Sequence, residues 1–207
     1  MATVISPPEE RILLHDVTWE TYEQLLANYE NSSGPRFTYD RGVLEIMSPS
    51  SEHEELNDVF KLLVNALAEE WDIEARGFGS TTFRREDISR GFEPDSCFYI
   101  QSVGSIKGVT RLDLAVHPPP DLVVEIDITH PSLDKFPVYA AAGVPEVWHY
   151  DGQALKILRL EGDGYVEANE SRALPRLTSE TLKHFIEGSA TMSRLDWLRR
   201  VRAWARA

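Results

Sequence analysis

Apolar residues recur at helical spacing along one long segment, SSEHEELNDVFKLLVNALAEEW. The pattern predicts an amphipathic helix, because residues three and four positions apart lie on one helix face. Ser51 and Glu54 have capping-box spacing, so Ser51 is the expected N-cap of this helix. The apolar stripe consists of Leu56, Phe60, Leu63 and Leu67.

Further helices and strands follow from the same patterning. A helix is expected over residues 18–30, with Thr18 as its cap, and a short helix is expected after the cap Asp134, with Pro137 in its first turn. The segments SETLKHFIEG and SRLDWLRRVRAWARA predict two closing helices. Strands are expected in DIEARGF, STTFRRED, CFYI and near Tyr165, and hairpins at the turns of residues 40–42 and 151–152.

This order of elements predicts an α/β (mixed α+β) fold, in which a central mixed β-sheet is flanked by helices. An N-terminal helix and hairpin come before the centre of the sheet, and C-terminal helices follow it. We expect residues 1–17 to be an extended lead-in, residues 18–190 to form the domain, and residues 191–207 to form a basic amphipathic helix.

The stretch PDLVVEIDITHPSLDK, residues 120–135, combines a β-branched apolar strand with carboxylates. Side chains alternate between the two faces of a strand, so Asp121, Glu125 and Asp127 share one face, opposite a wholly apolar one. No Arg or Lys lies among them, and burial of unpaired carboxylates is costly. Three explanations stay open: an edge strand with this face in water, a basic partner, or a bound cation.

A second acidic position lies at the start of another apolar strand. The tripeptide EPD leads into CFYI, and if the two strands are neighbours, Asp95, Glu125 and Asp127 can converge. Two or three carboxylates, with water and a substrate phosphate, form the oxygen shell that Mg²⁺ takes. Lys135 follows the acidic strand at the start of a helix, where it could stabilise charge on phosphate or simply face solvent.

The composition narrows the classes of function. The net charge of −13, from 34 acidic and 21 basic residues, disfavours broad electrostatic coating of nucleic acid. Cys97 is the single cysteine, which excludes an internal disulfide and suggests a reducing compartment. No signal peptide or apolar run of transmembrane length is recognisable, so a soluble cytoplasmic protein is expected.

Taken together, these motifs resemble a known nuclease family. The PD at residues 94–95 and the E-x-D at residues 125–127 are similar to the signature of the PD-(D/E)-x-K nuclease superfamily, which has the restriction-endonuclease-like fold. The segments MSPSSEH, PDLVVEIDITHPS and AAGVPEVWHYD, with K-x-x-x-Y from Lys135 to Tyr139, resemble the Uma-type family of predicted restriction endonucleases, formerly a domain of unknown function. The resemblance spans roughly residues 18–190, which is most of the chain.

The resemblance implies a Mg²⁺-dependent endonuclease, in which Mn²⁺ can substitute, that cleaves nucleic acid, above all DNA, with a metal-activated water. It implies that Asp95 and Glu125 are metal ligands. The superfamily's lysine should stand where Asp127 is found, so either Asp127 is a further metal ligand and Lys135 supplies the cation, or catalysis is weakened. His53 matches a family histidine and could position water, or could lie on the surface at a helix start.

Two other functions compete with this interpretation. A protein of the same fold without nuclease activity could serve as a binding or assembly module, which the residue at position 127 and the acidic charge both favour. A metal-free hydrolase could use two carboxylates as glycosidases do. Its tryptophans could then stack on sugars, but Trp71, Trp197 and Trp204 follow helical patterns that indicate core packing.

The last helix carries five arginines, and three interpretations of it stay open. It could bind the DNA backbone, form a homodimer contact through its apolar seam, or pack on its own domain with its arginines in water, which is the expected arrangement. No segment reads base edges in a recognisable way, so DNA and RNA substrates are not separated. The arginines are Arg194, Arg199, Arg200, Arg202 and Arg206.

Overall fold

The computed structural model describes residues 9–29, 34–128 and 133–207. No helix in these ranges is long and apolar enough to cross a membrane. The α-helices are α1 (Trp19–Tyr29), α2 (Ser51–Glu70), α3 (Phe136–Ala142), α4 (Ser179–Ser189) and α5 (Arg194–Arg206). The strands are β1 (Glu10–Leu14), β2 (Arg36–Asp40), β3 (Val43–Ser48), β4 (Arg76–Gly77), β5 (Phe83–Arg85), β6 (Arg90–Phe92), β7 (Ser96–Tyr99), β8 (Leu122–Ile126), β9 (Glu146–Tyr150), β10 (Leu155–Glu161) and β11 (Gly164–Ala168).

Two sheets organise the fold. Five strands form an antiparallel sheet in the order β1-β3-β2-β6-β5, and six strands form a second sheet in the order β11-β10-β9-β8-β7-β4. In the second sheet β8 and β9 run parallel, whereas the other neighbouring strands are antiparallel. The predicted mixed α+β class is confirmed, and the predicted mixed sheet is the six-stranded one. The patterning does not predict that the remaining strands form a sheet of their own.

Strand β8 lies inside the six-stranded sheet, and all five of its residues are buried. On one face, Val124 belongs to a core cluster with Phe60 of α2 and Trp148 of β9. On the other face, Val123 belongs to a cluster with Val138 of α3. The interpretation of this segment as an edge strand with its acidic face in water is therefore wrong.

Helix α2 begins where the apolar pattern predicts, but its cap differs by one residue. The hydroxyl of Ser50 accepts a hydrogen bond of 3.2 Å from the backbone N–H of His53, so Ser50 is the N-cap and the prediction of Ser51 is wrong. The carboxylate of Glu54 pairs with Arg36 of β2. In this way the first turn of α2 is tied to the five-stranded sheet.

The cap of α3 also differs from the prediction. Lys135 occupies the cap position, and Asp134 lies one residue earlier, where its carboxylate accepts a 3.1 Å hydrogen bond from the backbone N–H of Phe136. Pro137 lies in the first turn, as predicted, because a proline there sacrifices no helical hydrogen bond. Gly143 ends the helix in the left-handed conformation, with φ of 80°.

The segments on either side of β7 depart from the expected pattern. The segment DIEARGF contributes only the two-residue β4, STTFRRED contributes the three-residue β5, and β6 is an additional short strand. Between β7 and β8, residues 103–106 form a 3₁₀-helix, Val103–Ile106. Within the expected lead-in, all five residues of β1 pair with β3. This N-terminal segment is thus an integral strand of the five-stranded sheet.

The C-terminal helix α5 packs on α2 and α4, as expected for a helix that belongs to its own domain. Trp197 and Val201 are buried in this contact. The indole N–H of Trp71 donates a 3.0 Å hydrogen bond to the carbonyl of Ala205. Arg202 and Arg206 form ion pairs with carboxylates of α2.

Gly91 in β6 allows α1 to lie close to the five-stranded sheet, because the ring of Tyr22 covers it. A Cβ atom at position 91 would lie 2.8 Å from Cζ and 2.9 Å from Cε1 of Tyr22. We predict that Gly91→Ala lowers the free energy of unfolding by about 1–3 kcal/mol, measured by urea denaturation. Gly164→Ala is the control, because a Cβ there meets nothing within 4 Å. Equal stability of the two variants would contradict this account.

Candidate active site

The antiparallel pairing of β7 with β8 brings the two predicted acidic positions together. Ser96 lies opposite Val124, so Asp95 stands beside Glu125 and Ile126. The carboxylate of Asp95 accepts a 2.7 Å hydrogen bond from the backbone N–H of Ile126, which extends the strand pairing beyond the start of β7. Both acids are buried, with 0% and 1% of their surface exposed. The structure therefore places Asp95 and Glu125 next to each other.

The two oxygens of the Asp95 carboxylate have different surroundings. Oδ2 lies 3.2 Å from Nε2 of His53, in addition to its bond from Ile126. Oδ1 forms an ion pair with Nη1 of Arg36. The side-chain amide of Asn57 donates a 3.0 Å hydrogen bond to the backbone carbonyl of Asp95. Helix α2 and strand β2 therefore hold this acid in place together with β8.

His53 is completely buried and faces the site, so the alternative of a surface histidine is wrong. Its Nε2 lies within hydrogen-bonding distance of two acceptors, the carbonyl of Ile126 at 3.1 Å and Oδ2 of Asp95 at 3.2 Å, so Nε2 carries the ring proton. Nδ1 has no hydrogen-bond partner in the described part of the chain. Burial, with the nearby positive charges of Arg36 and Lys135, lowers the pKa of His53 to about 3. The ring is therefore neutral at pH 7.

Lys135 joins the site through Glu125. Its amine forms an ion pair with Oε1 of Glu125, and only 6% of the lysine is exposed, so the alternative of a solvent-facing lysine is wrong. The hydroxyl of Tyr139 donates a 2.6 Å hydrogen bond to Oε2 of the same carboxylate. Burial and the charge of Glu125 raise the pKa of Tyr139 well above its ordinary value, so this hydroxyl remains a donor.

Glu45 of β3 is a site residue that the sequence patterns do not single out. It is 1% exposed, and its Oε1 lies 3.8 Å from the amine of Lys135. Its Oε2 accepts a 3.2 Å hydrogen bond from the backbone N–H of Leu133, just before Lys135. The one sequence feature that could have identified Glu45 is its charge within the apolar run VLEIM. In the structure Leu44 and Glu45 are both buried, so the strand does not alternate strictly between buried and exposed residues.

Asp127 is held by two side chains that the sequence analysis also does not identify. Its Oδ1 forms an ion pair of 2.8 Å with Nη2 of Arg11 in β1, and its Oδ2 lies 3.0 Å from Nε2 of His149 in β9. Burial would raise the pKa of Asp127, but the hydrogen bond from His149 and the positive charges of Lys135 and Arg11 lower it overall. Asp127 is therefore ionised and bridges two strands.

Asp121 was predicted to share a strand face with Glu125 and Asp127, but it has a separate role. Its Oδ2 accepts hydrogen bonds from the backbone N–H groups of Ile100 and Ser102 at 2.7 and 2.9 Å, and from the Ser102 hydroxyl at 2.8 Å. These bonds anchor the turn that leads into the 3₁₀-helix at Val103–Ile106. The first carboxylate of the acidic stretch, Asp121, therefore has a structural role.

Basic side chains from other segments neutralise the buried carboxylates of the site. This confirms the second of the three explanations for the acidic strand, a basic partner. Lys135 follows the strand closely in sequence, whereas Arg11 and Arg36 are distant, so the acidic strand gives no sign of these two. The ion pairs are Arg36 with Asp95, Lys135 with Glu125, and Arg11 with Asp127 and Glu45.

A divalent cation fits the chemistry of two of these carboxylates. Mg²⁺ is commonly bound by one or two carboxylates, and water and phosphate complete its octahedral shell. Oδ1 of Asp95 has the side chain of Arg36 as its ion-pair partner, and the two oxygens of Glu125 contact Lys135 and Tyr139. Among the described residues, no group of three or more His, Cys, Asp and Glu side chains is arranged to hold a metal ion. The geometry therefore suits a two-carboxylate site better than a three-carboxylate one.

A broad groove with a volume of about 2470 Å³ opens beside the site. Arg36 lines this groove and also contacts Asp95, so its side chain separates the acid from the open space. Seven acidic side chains line the groove against five basic ones, which does not favour binding of a polyanion by charge alone. The basic ones are Arg36, Lys61, Arg84, Arg85 and Arg111.

The neutral, buried state of His53 makes stability depend on pH. Its pKa falls from 6.5 to about 3 on folding, so between these values the unfolded chain binds a proton that the folded protein does not. Stability therefore decreases as the pH falls through this window, by up to about 1.4 kcal/mol per pH unit. We predict that His53→Gln shows a shallower loss, measured by urea denaturation of the metal-free protein between about pH 7 and 4.5. His184→Gln, at an exposed position, is the control, and a slope unchanged in both variants would refute the assignment.

The fold of this protein resembles that of a solved structure. No curated protein matches the chain. A solved structure from Anabaena variabilis ATCC 29413, described as "a putative nuclease belonging to DUF820", superposes with a TM-score of 0.52 and 15% sequence identity. The match covers 78% of this chain and 98% of that chain. At this identity the likeness shows the fold alone, and it confirms the nuclease-like fold predicted from the motifs.

A family model identifies the chain more closely. The model of the Uma2 family, described as "Putative restriction endonuclease", matches residues 19–192. This range contains Glu45, Asp95, Glu125 and Lys135, the residues at the centre of the site. Since the match extends over most of the chain, the protein belongs to the Uma2 family, the Uma-type family that its sequence motifs predict.

Proposed function

We propose that this protein is a Mg²⁺-dependent endonuclease, able to use Mn²⁺ instead, that hydrolyses phosphodiester bonds of nucleic acid, with DNA as the expected substrate. The observation that carries the proposal is the buried pair of Asp95 and Glu125 with the amine of Lys135 against it. Carboxylates can hold a divalent cation, and an ammonium group can stabilise charge that develops on a phosphate. Membership of the Uma2 family supports the same class of reaction.

In this proposal Asp95 and Glu125 hold the metal ion. Bound Mg²⁺ would supply Lewis acidity, which lowers the pKa of a water molecule and offsets phosphate charge. Asp127 is a third candidate ligand, but among the described residues no group of three or more such side chains is arranged to hold a metal ion, and Asp127 instead pairs with Arg11 and His149. We therefore give Asp127 the role of orienting those two side chains.

The remaining residues position the acids and the phosphate. Lys135 stabilises negative charge on the phosphate from its place beside Glu125. Tyr139 fixes the orientation of Glu125 through its 2.6 Å hydrogen bond. Neutral His53 holds the carboxylate of Asp95 and adds no charge to the site. We propose this role for His53 instead of the predicted positioning of a water molecule, because its protonated Nε2 is directed at Asp95.

One observation favours a second candidate, a binding or assembly module without nuclease activity. Each acid of the site already has a basic partner, so the folded protein balances these charges without a metal ion. A sugar hydrolase lacks similar support. Trp148 and Trp197 are buried, and Trp71 and Trp204 pack against the same core, which leaves these rings unsuited to stacking on sugars.

The proposal also includes a homodimer in the cytoplasm. Two copies of one active site would suit cleavage of both strands of a duplex. The exposed Arg199 lies on α5, on the opposite side of that helix from the buried Trp197 and Val201. Light scattering of the purified protein tests the dimer directly.

Cleavage of supercoiled plasmid and of single-stranded DNA, with Mg²⁺ or Mn²⁺, tests the proposed reaction. We predict that the wild type cuts at least one substrate and that a chelator abolishes the cutting. Asp95→Asn and Glu125→Gln should each lower the rate about 100-fold or more, because each removes a charge that holds the metal. Glu167→Gln, an exposed carboxylate on β11, is the control and should retain the wild-type rate.

Binding of Mn²⁺ separates the two candidate functions. Calorimetric titration that detects Mn²⁺ binding in the wild type and its loss in Asp95→Asn supports the endonuclease. A wild-type protein that neither cuts DNA nor binds Mn²⁺ would instead favour the binding module. Cutting that persists in both active-site variants would overturn the assignment of these two acids.

A further inference from the structure

Arg11 lies outside the residues that match the Uma2 family model, yet it belongs to the centre of the site. The family match begins at residue 19, whereas Arg11 is in β1, the N-terminal strand. Its guanidinium group forms ion pairs with Glu9 at 2.5 Å, Glu45 at 3.2 Å and Asp127 at 2.8 Å. Only 6% of its side chain is exposed.

The buried guanidinium is permanently charged. Burial alone would lower the pKa of Arg11, but the carboxylates of Glu45, Asp127 and Glu9 raise it above its ordinary value. The planar group has five N–H donors, so a single arginine can serve three carboxylates at fixed angles. Pairing of β1 with β3 places this group beside Glu45, since Arg11 is opposite Met47 and Leu13 is opposite Glu45.

Arg11 and Lys135 both lie near the same oxygen atom, Oε1 of Glu45. Oε1 of Glu45 lies 3.2 Å from Nη1 of Arg11 and 3.8 Å from the amine of Lys135. Because Arg11 is the closer cation for Glu45, Lys135 can form its ion pair with Glu125. Without Arg11, three buried carboxylates, those of Glu9, Glu45 and Asp127, would lose an ion-pair partner, and Glu45 would attract Lys135 more strongly in this dry environment.

The backbone before Lys135 is coupled to the same acid. The N–H of Leu133 donates its hydrogen bond to Oε2 of Glu45, on the other side of that carboxylate. A shift of Glu45 would therefore also displace the segment that carries Lys135. These contacts connect Arg11, through Glu45, to the amine of Lys135 and to the backbone that precedes it.

We propose that Arg11 is a positioning residue for the reaction, which keeps Lys135 on Glu125 by neutralising Glu45 and Asp127. The N-terminal strand β1 is then a part of the active centre that lies beyond the family-matched region. This inference rests on the proposed endonuclease function, because its effect is on the lysine that serves the phosphate.

The test compares Arg11→Met, Arg11→Gln and Arg11→Lys with the wild type, using kcat and KM for DNA cleavage. Misplacement of a catalytic group typically costs about tenfold to 100-fold in rate, so kcat should fall by this factor in the Met and Gln variants. KM should change by less than about twofold, because Arg11 is buried and does not line the groove. Arg11→Lys keeps the charge but not the fork of donors, so we predict partial recovery of kcat.

Two controls separate positioning from general stability. Arg206→Met removes another ion-paired arginine, on α5, and should leave kcat unchanged. All rates are measured at a temperature where circular dichroism shows each variant folded; if Arg11→Met does not fold, Arg11→Lys and Arg11→Gln carry the comparison.

The possible outcomes distinguish this inference from the proposed function. A fall in kcat with steady KM, relieved in Arg11→Lys, supports the positioning role. Wild-type cleavage together with wild-type kcat in Arg11→Met overturns the role of Arg11 and leaves the endonuclease intact. Absence of cleavage by the wild type with every metal and substrate tested overturns the endonuclease, and this inference with it.

Discussion

Ion pairs that run between the two sheets are the interactions on which the rest of this structure depends. Arg36 in β2 reaches Asp95 at the start of β7, and Arg11 in β1 reaches Asp127 just after β8. Loss of one partner from a buried pair typically costs about 3–5 kcal/mol, so neither sheet can bury its charged residues stably without the other. Lys135 completes the junction, because it contacts one carboxylate from each sheet, Glu45 and Glu125. The candidate active site is the place where the sheets meet.

Local patterns in the sequence predict the parts of this structure that have local causes. The apolar stripe of α2 and the cap Thr18 depend on residues within one or two helical turns. Asp95 and Glu125 can be selected because each occupies a motif position on a recognisable strand. The cap of α2 shows the limit of local information, since Ser50 and Ser51 are adjacent and chemically alike, and the sequence pattern alone does not distinguish them.

Long-range partners escape the sequence because nothing near them in the chain indicates the pairing. Arg11 and Asp127 are separated by 116 positions, and the contact exists only once β1 has paired with β3 and β8 lies in the other sheet. Glu45 follows Leu44 inside an apolar strand, and these partners of Glu45 come from two other segments, β1 and residues 133–135. His149 meets Asp127 because the parallel pairing of β8 and β9 places it opposite Glu125. Side chains of this kind become visible as site residues only in the assembled fold.

The hydrogen bond from Ile126 to Asp95 takes the place of a strand-to-strand backbone bond just before β7. A slip of β8 by one residue would remove the donor from this acceptor and turn Glu125 toward the apolar layer under the sheet. Asp95 therefore fixes the alignment of two central strands, independently of any reaction. A descendant of this protein that had lost its chemistry would still be under selection to keep a hydrogen-bond acceptor at position 95. Conservation of that residue among relatives would therefore reflect its role in folding as much as a role in catalysis.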